Sequence, residues 1–267
     1  MLIPFCKMQA QGNDFVILSE MEEELPQLDW ELFARTVCMP HFGIGADGVV
    51  LLKAAAKADA EMIIYNADGS RAKMCGSALR CIGHMLYESQ GRLQYSIQTD
   101  SGLKEVNILP ESQQIIVSLG QAKMLRQRLV VENFSGDLVD IGNIHYVNWV
   151  EDLEEDLPRR HGADLEKHEL FPEAPNIHFA HVNSRDFIQM NTWERGAGAT
   201  LACGTGAGAT VFSGIQRGLL DTEVRVQVAG GVLGVKYTED TGDILLLGRV
   251  EKVFSGVFPW KSSVNTF

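Results

Sequence analysis

Length, composition and charge narrow the classes of protein to which this chain can belong. Its 267 residues are 45% hydrophobic and carry a formal charge of −12, from 23 Lys and Arg against 35 Asp and Glu. A negative balance without a Lys/Arg cluster argues against nucleic acid or an anionic membrane as partner. The apolar stretches are shorter than a membrane span, and the first residues lack the pattern of a signal peptide. We therefore expect a cytoplasmic globular protein.

The cysteines do not form a disulfide or metal pattern. There are five of them, Cys6, Cys38, Cys75, Cys81 and Cys203, and they are scattered along the chain. An odd, scattered set in a chain of this size fits a reducing compartment rather than a disulfide framework. Neither a C-x-x-C pair nor an H-E-x-x-H motif occurs, so we expect no zinc site.

Local patterns predict a mixture of helices and strands along the chain. The first helix covers 28–38, with Asp29 as its N-cap, because apolar residues follow at helical spacing. Helices are also predicted over 75–88 and 203–218, which are rich in small and apolar residues. The acidic stretch 150–171 is expected to be a solvated helical excursion. Alternating runs bounded by turn residues predict strands at "QIIVSL" (114–119), "EVRVQV" (223–228) and "DILLLG" (243–248).

An internal repeat places one cysteine in each half of the chain. "NADGSRAKMCGSALRCIGHM" (66–85) and "GAGATLACGTGAGATVFSGI" (196–215) share the order glycine turn, Cys-Gly and small-residue helix. Cys75 and Cys203 are 203 − 75 = 128 positions apart, and the same offset carries Gly102 onto Gly230 and Gly120 onto Gly248. Self-similarity in one register indicates two copies of a structural unit.

The repeat predicts an α+β fold of two pseudo-symmetric lobes with the active site in the cleft between them. The N-terminal lobe is placed at 1–125 and the C-terminal lobe at 126–267, with the C-terminal segment able to cross back to the first lobe. In that arrangement Cys75 and Cys203 would approach one ligand from opposite sides. The alternative is that both are small buried core residues, but a core position does not explain the glycine that follows each of them.

Two opposed thiols can invert a stereocentre. One thiolate removes a proton from carbon and the other thiol returns a proton to the opposite face. Backbone N–H groups at two helix starts would stabilise the charge that develops on a substrate carboxylate. The same helix ends are expected to lower the thiol pKa. No lysine carries a recognisable Schiff-base signature, so no cofactor is expected.

These residues and their setting resemble the diaminopimelate epimerase family, cofactor-independent enzymes that interconvert LL- and meso-diaminopimelate. The resemblance runs nearly end to end, in matching order and spacing. It rests on "KMQAQGNDFVIL" (7–18), "GIGADGVVLL" (43–52), "YNADGSRAKMCG" (65–76), "GNIHYV" (142–147), "NIHFAHV" (176–182) and "WERGAGATLACGTGA" (193–207). It implies a small amino-acid substrate, no cofactor, no metal, and a homodimer.

The resemblance also implies a role for each matching position. Cys75 and Cys203 would be the acid/base thiols. Donors to the carboxylate at the reacting carbon would be Gly76, Ser77, Gly204 and Thr205. The distal end of the substrate would be held by Asn66, Asn143, Asn176, Glu194 and Arg195, with Arg195 as the carboxylate fork. Asn13 would line the site, and His145 would lie near the reacting centre. Singly, each Asn could be a turn residue and Glu194–Arg195 a surface ion pair; the joint pattern favours a site.

Some positions depart from the family pattern. Ser77-Ala78 stand where the family usually has Asn-Gly, Ile144 and Tyr146 replace Pro and Cys, and Ala199 replaces Glu. These changes leave open a paralogue that racemises another amino acid, such as histidine. A non-catalytic amino-acid-binding protein on the same scaffold is the third alternative, although binding alone would require neither thiol.

Overall fold

The computed structural model describes residues 1–21 and 24–260, and these divide into two compact units. The first unit contains Met1–Ala10, Asp14–Ile108 and the described chain from Val250. The second contains Gln11–Asn13 and Leu109–Arg249. The C-terminal strand thus belongs with the N-terminal residues. Among the described helices, none is long and apolar enough to cross a membrane.

The first unit combines a mixed sheet with two helices. Its elements are β1 (Leu2–Ala10), β2 (Asn13–Ser19), α1 (Trp30–Val37), β3 (Gly48–Lys53), β4 (Ala60–Asn66), β5 (Arg71–Ala72), α2 (Gly76–Gln90), β6 (Gln94–Thr99), β7 (Gly102–Leu109) and β18 (Glu251–Pro259). Strand β18 pairs antiparallel with β1, β2 runs parallel to β3, and β4 runs parallel to β6. Hairpins join β3 to β4 and β6 to β7.

The second unit repeats this order of elements. It contains β8 (Gln114–Gln121), β9 (Lys123–Val131), β10 (Phe134–Asp140), β11 (Ile144–Trp149), α3 (Leu157–Glu166), β12 (Asn176–Ser184), β13 (Phe187–Glu194), β14 (Gly198–Thr200), α4 (Gly204–Gln216), β15 (Glu223–Val228), β16 (Gly231–Tyr237) and β17 (Asp243–Gly248). Strand β9 pairs antiparallel with β10, β11 runs parallel to β12, and β13 runs parallel to β15. The predicted α+β fold of two similar lobes is confirmed.

The acidic helix is part of the repeat rather than an excursion. Helix α3 stands between β11 and β12 as α1 stands between β2 and β3. It buries Leu157 and Leu165 against Phe179 in the core of its unit. The expectation of a solvated excursion is therefore wrong, because α3 buries an apolar face, while most acidic residues of 150–171 lie outside the helix.

The register of the repeat changes by one residue after the helices. Helices α2 and α4 begin 128 positions apart, at Gly76 and Gly204. In the following hairpins Thr99 faces Gly102 and Val228 faces Gly231, which are 129 positions apart. The structural counterpart of Gly102 is thus Gly231 rather than Gly230, because a single offset cannot follow an insertion in the connecting loop.

Local sequence explains where the helices begin. The Asp29 side chain accepts a hydrogen bond from the Leu32 N–H at 3.0 Å, which confirms the predicted N-cap of α1. Helix α1 then buries Phe33, whose ring lies 5.1 Å from that of Trp260. In the second unit, Arg217 at the end of α4 forms a paired contact of 2.7 Å to each carboxylate oxygen of the buried Asp137 on β10. This ion pair ties α4 to the sheet.

Candidate active site

Each unit has a cysteine at the N-cap of a helix. Cys75 precedes α2 and Cys203 precedes α4, both with extended backbone angles. The carbonyls of Cys75 and Cys203 accept the first helical hydrogen bonds, from Leu79 at 3.0 Å and Ala207 at 2.9 Å. The N–H groups of the first helical turn therefore have no partner within the helix. The sequence predicted both helix starts correctly.

Cys203 is a buried thiol whose proton is held tightly. Burial raises its pKa well above the usual range, and the charge of Glu194 and a hydrogen bond to Glu194 raise it further. The N–H of Gly206 and the hydroxyl of Thr205 act in the opposite direction. The helix end therefore lowers the pKa of this thiol as expected, but loss of solvent and a nearby carboxylate outweigh it, so the net shift of the Cys203 pKa is upward.

The loop before α4 gathers the predicted polar residues of the second unit. Glu194 closes β13, and its carboxylate accepts a hydrogen bond of 2.5 Å from the Thr200 hydroxyl. The Asn176 side chain accepts from the Arg195 N–H at 3.0 Å and donates to the Ile144 carbonyl at 3.2 Å. The exposed Arg195 guanidinium donates to the Ala174 carbonyl at 3.2 Å. The structure therefore orders this loop through side chains that the sequence analysis had selected.

Two buried histidines lie next to this loop and contact each other. His145 Nδ1 lies 2.8 Å from His178 Nε2, and both side chains are fully buried. The other nitrogen of His178, Nδ1, lies 2.8 Å from the Thr192 hydroxyl. Burial lowers the pKa of His178 to about 3. Burial also lowers the pKa of His145 well below its ordinary value, and the charges of His178 and Arg195 lower it further. Both imidazoles are thus neutral at physiological pH.

Hydrogen bonds continue from these histidines to the thiol. His145 Nε2 lies 2.9 Å from Asn143 Oδ1. Asn143 Nδ2 lies 3.4 Å from the Thr205 hydroxyl, which is 3.7 Å from Cys203 Sγ. We call this set of residues the polar chain: Thr192, His178, His145, Asn143, Thr205 and Cys203.

Three members of the polar chain have the chemistry of metal ligands. Within the part of the chain that the structure describes, ligand atoms of His145, His178 and Cys203 lie within 4.8 Å of one another. Each of the four imidazole nitrogens already has a hydrogen-bond partner. A metal ion would have to break the 2.8 Å contact between the two rings, so the arrangement favours a hydrogen-bonded chain.

Asn13 belongs to a short N-terminal segment that packs in the second unit. It follows a turn at Gln11 and Gly12, both with positive φ. A side chain at Gly230 would overlap the Gln11 carbonyl oxygen, since its Cβ would lie 1.7 Å away. Gly12 packs against Leu201, two residues before Cys203. The structure thus places the segment ending at Asn13 beside the cysteine loop of its unit.

In the first unit, the buried guanidinium of Arg80 interacts with Cys75. Arg80 is fully buried and donates to the Ser77 hydroxyl at 3.3 Å and to the Gly76 carbonyl at 3.4 Å. Burial lowers the Arg80 pKa to about 10, while the charges of Cys81 and Cys75 act in the opposite direction. Burial also raises the Cys81 pKa to about 12, so Cys81 is a protonated core thiol. The charge of Arg80 thus interacts with the Cys75 thiol as well as with Cys81.

Asn66 has the geometry of a turn residue. It is exposed at the end of β4 and its side chain donates to the Ser70 hydroxyl at 2.9 Å. Its backbone N–H donates to the Ser70 carbonyl at 2.8 Å. This hairpin leads through β5 to Cys75. Asn66 therefore shapes the approach to the cysteine, and a role in holding substrate stays a prediction.

Of four positions that depart from the family pattern, two are buried in the core and two are not. Tyr146 is fully buried, and its hydroxyl lies within donating distance of two carbonyls, that of Leu129 at 2.8 Å and that of Phe134 at 3.1 Å. Ala78 is also fully buried. Ile144 contributes its carbonyl to Asn176, and Ala199 is exposed on β14. Tyr146 is therefore a core side chain rather than bulk added to the site.

Sequence reasoning missed three residues that the structure connects to the cysteine regions: Arg80 interacts with Cys75, and His178 and Thr192 belong to the polar chain that ends at Cys203. His178 and Thr192 face each other across the β12–β13 pair. Buried positions in strands are usually apolar, so a histidine in the "NIHFAHV" strand is a signal that could have been noticed. Its partner Thr192 could not be found without the register of the strands.

Comparison with known proteins agrees with this geometry. A model of the family described as diaminopimelate epimerase matches residues 5–125 and 138–253. The chain belongs to the diaminopimelate epimerase family. It is 34% identical over 278 residues to the diaminopimelate epimerase of Heliobacterium modesticaldum, covering 96% of this chain and 99% of that protein. It is 36% identical to the diaminopimelate epimerase of Parabacteroides distasonis, covering 95% and 97%.

Solved structures with similar folds are more distant in sequence. A probable proline racemase from Agrobacterium radiobacter has a TM-score of 0.76 at 17% identity, covering 98% of this chain and 94% of that chain. A Bacillus anthracis protein of the PhzF family has a TM-score of 0.75 at 12% identity, covering 97% and 100%. At these low identities, the likeness shows that this chain has the same fold as these two proteins.

Proposed function

We propose that this protein epimerises LL-diaminopimelate to meso-diaminopimelate by proton transfer between two cysteines, without a cofactor. The observation that carries the proposal is a cysteine at the N-cap of the corresponding helix in each repeat. Cys75 and Cys203 occupy equivalent positions, each followed by glycine and by backbone N–H groups without helical partners. Membership of the diaminopimelate epimerase family supports the substrate.

The chemistry needs one thiolate and one thiol at the start of each turnover. The thiolate takes the α-proton, the electron pair stays on the α-carbon, and the thiol gives its proton to the opposite face. Cys203 starts as the donor because burial and Glu194 raise its pKa. Cys75 starts as the acceptor, beside the buried cation of Arg80. After turnover the two protonation states are exchanged.

Helix N-termini supply the charge stabilisation that the carbanion requires. The N–H groups of Gly76, Ser77, Gly204 and Thr205 would bind the carboxylate at the reacting carbon. No metal is needed for this step. Arg195 would bind the distal carboxylate through its planar fork, which an ammonium group cannot reproduce.

Exchange of the α-proton in D₂O, followed by NMR, tests the proposal. We expect deuterium incorporation with inversion on LL-diaminopimelate, and none on L-histidine or other L-amino acids. Cys75→Ser and Cys203→Ser should each nearly abolish turnover, whereas Cys38→Ser, at a buried position outside the mechanism, should retain it. Exchange on another amino acid would instead identify a racemase of that substrate. Ligand binding without exchange by the reduced protein would identify a binding protein.

Alkylation separates the two thiols in the resting protein. Iodoacetamide reacts with thiolates, so at neutral pH we expect Cys75 to be labelled first and Cys203, Cys38 and Cys81 to react slowly. Peptide mapping gives the rate at each site. Faster labelling of Cys203 than of Cys75 would contradict the assigned starting states.

The family resemblance further supports a cytoplasmic homodimer. Sedimentation velocity of the purified protein measures the oligomeric state, and a concentration-independent monomer would contradict this part of the proposal.

A further inference from the structure

The polar chain has a direction, and the orientation of Asn143 defines it. With Asn143 Oδ1 facing the ring at 2.9 Å, His145 must donate from Nε2. A neutral imidazole then accepts at Nδ1, so His178 donates from Nε2 across the 2.8 Å contact. His178 in turn accepts at Nδ1 from the Thr192 hydroxyl. Every donor therefore points toward Cys203.

Direction matters because it decides what the Thr205 hydroxyl can do. Asn143 Nδ2 donates to the Thr205 oxygen, which leaves the Thr205 hydrogen free to point at Cys203 Sγ, 3.7 Å away. If both imidazoles changed tautomer, Asn143 would have to turn its amide over. Its oxygen would then face Thr205 and take the hydrogen that stabilises the Cys203 thiolate.

We propose that His178 and Thr192 are positioning residues that complete the polar chain, whose direction, defined by Asn143, gives Cys203 a hydrogen bond from Thr205. The inference rests on the proposed function, in which Cys203 must become a thiolate once in each catalytic cycle. A hydrogen bond to a charged sulfur contributes more than one between neutral groups. The chain therefore acts on Cys203 from Thr192, which is separated from the thiol by four intervening side chains.

The packing of His178 is an independent observation that the ring is built into the fold. Its imidazole lies on the backbone of α4 at Gly206, where an added Cβ would be 2.2 Å from Cε1. Gly206 follows Thr205 directly, and its N–H favours the thiolate of Cys203. The glycine at position 206 of α4 therefore leaves the space that the His178 ring occupies.

The tautomers of the two histidines can be measured directly. We expect ¹⁵N–¹H correlation spectra of histidine-labelled protein to show His145 and His178 neutral and protonated on Nε2, assigned with His145→Gln and His178→Gln. A His145 ring protonated on Nδ1 in the unsubstituted protein would overturn the inference. This measurement needs no substrate. A protein that shows these tautomers but does not epimerise would refute only the proposed function.

Kinetics of three threonine variants test the effect on Cys203. Thr192→Val removes the hydroxyl at nearly constant volume. We expect kcat to fall about tenfold with KM little changed, the size expected if the Cys203 thiolate loses its hydrogen bond from Thr205. Thr192→Ser keeps the hydroxyl and should restore most of the rate. The matched control is Thr210→Val. Thr210 is a buried threonine on α4, and its hydroxyl contacts Met190 Sδ at 3.3 Å outside the polar chain.

The comparison between these variants decides the result. Equal losses in Thr192→Val and Thr210→Val would mean that burial of a methyl in place of a hydroxyl explains the effect, and the inference would be refuted. A loss confined to Thr192→Val, restored in Thr192→Ser and accompanied by a change of tautomer at His145, would support it.

Discussion

Lowering the pH should destabilise this protein through the buried His178. Burial holds its pKa at about 3 in the folded state, compared with about 6.5 for a histidine in the unfolded chain. The folded-state pKa is depressed, so the unfolded state binds more protons below pH 6.5, and stability is lost as the pH falls. At equilibrium each pH unit in this window costs about 1.4 kcal/mol.

The expected loss at pH 5 follows from these two values. His178 alone should reduce the free energy of unfolding by about 2 kcal/mol between pH 7.5 and 5, since pH 5 is about 1.5 units below the unfolded-state pKa. His145, whose pKa is also lowered by burial, acts in the same direction. Against a typical total of about 5–15 kcal/mol, this is a large effect.

Urea unfolding followed by circular dichroism at pH 7.5, 6.5, 5.5 and 5 measures it. His178→Gln should lose about 2 kcal/mol less than the unsubstituted protein over this range, because glutamine does not titrate. The matched control is His41→Asn, since His41 is exposed and asparagine tolerates its positive φ. Parallel pH dependence in His178→Gln and the unsubstituted protein would refute the reasoning.

Three further changes have defined outcomes. Arg80→Met removes a cation that favours the Cys75 thiolate, so iodoacetamide labelling of Cys75 at neutral pH should slow by about tenfold or more; an unchanged rate would show that Arg80 is only structural. Gly206→Ala should cost about 1–3 kcal/mol in urea unfolding, because the new methyl overlaps the His178 ring, and a neutral effect would contradict the packing. Asp137→Asn leaves a partly buried arginine without its counter-charge and should cost about 3–5 kcal/mol; a loss under 1 kcal/mol would place the pair in solvent.

How much could be predicted from the sequence depends on the range of the interactions. Asp29 caps α1 through a contact three residues away, and glycine after Cys75 and Cys203 marks two helix starts, so short patterns were sufficient. Similarity between the repeats predicted two copies of one unit. The acidic composition of 150–171 correctly indicated a helix but not its burial, because the buried Leu157 and Leu165 contact residues distant in the sequence.

The sequence by itself therefore determined that each repeat has a thiol at the start of a helix, because helix caps and turns depend on adjacent residues. The tertiary structure alone decided how Cys203 is protonated. Its pKa depends on exclusion of water and on Glu194. Likewise, Thr192 and His178 become partners only through the register of β12 and β13. Charge and solvation act through space, and folding brings together groups that the linear sequence separates.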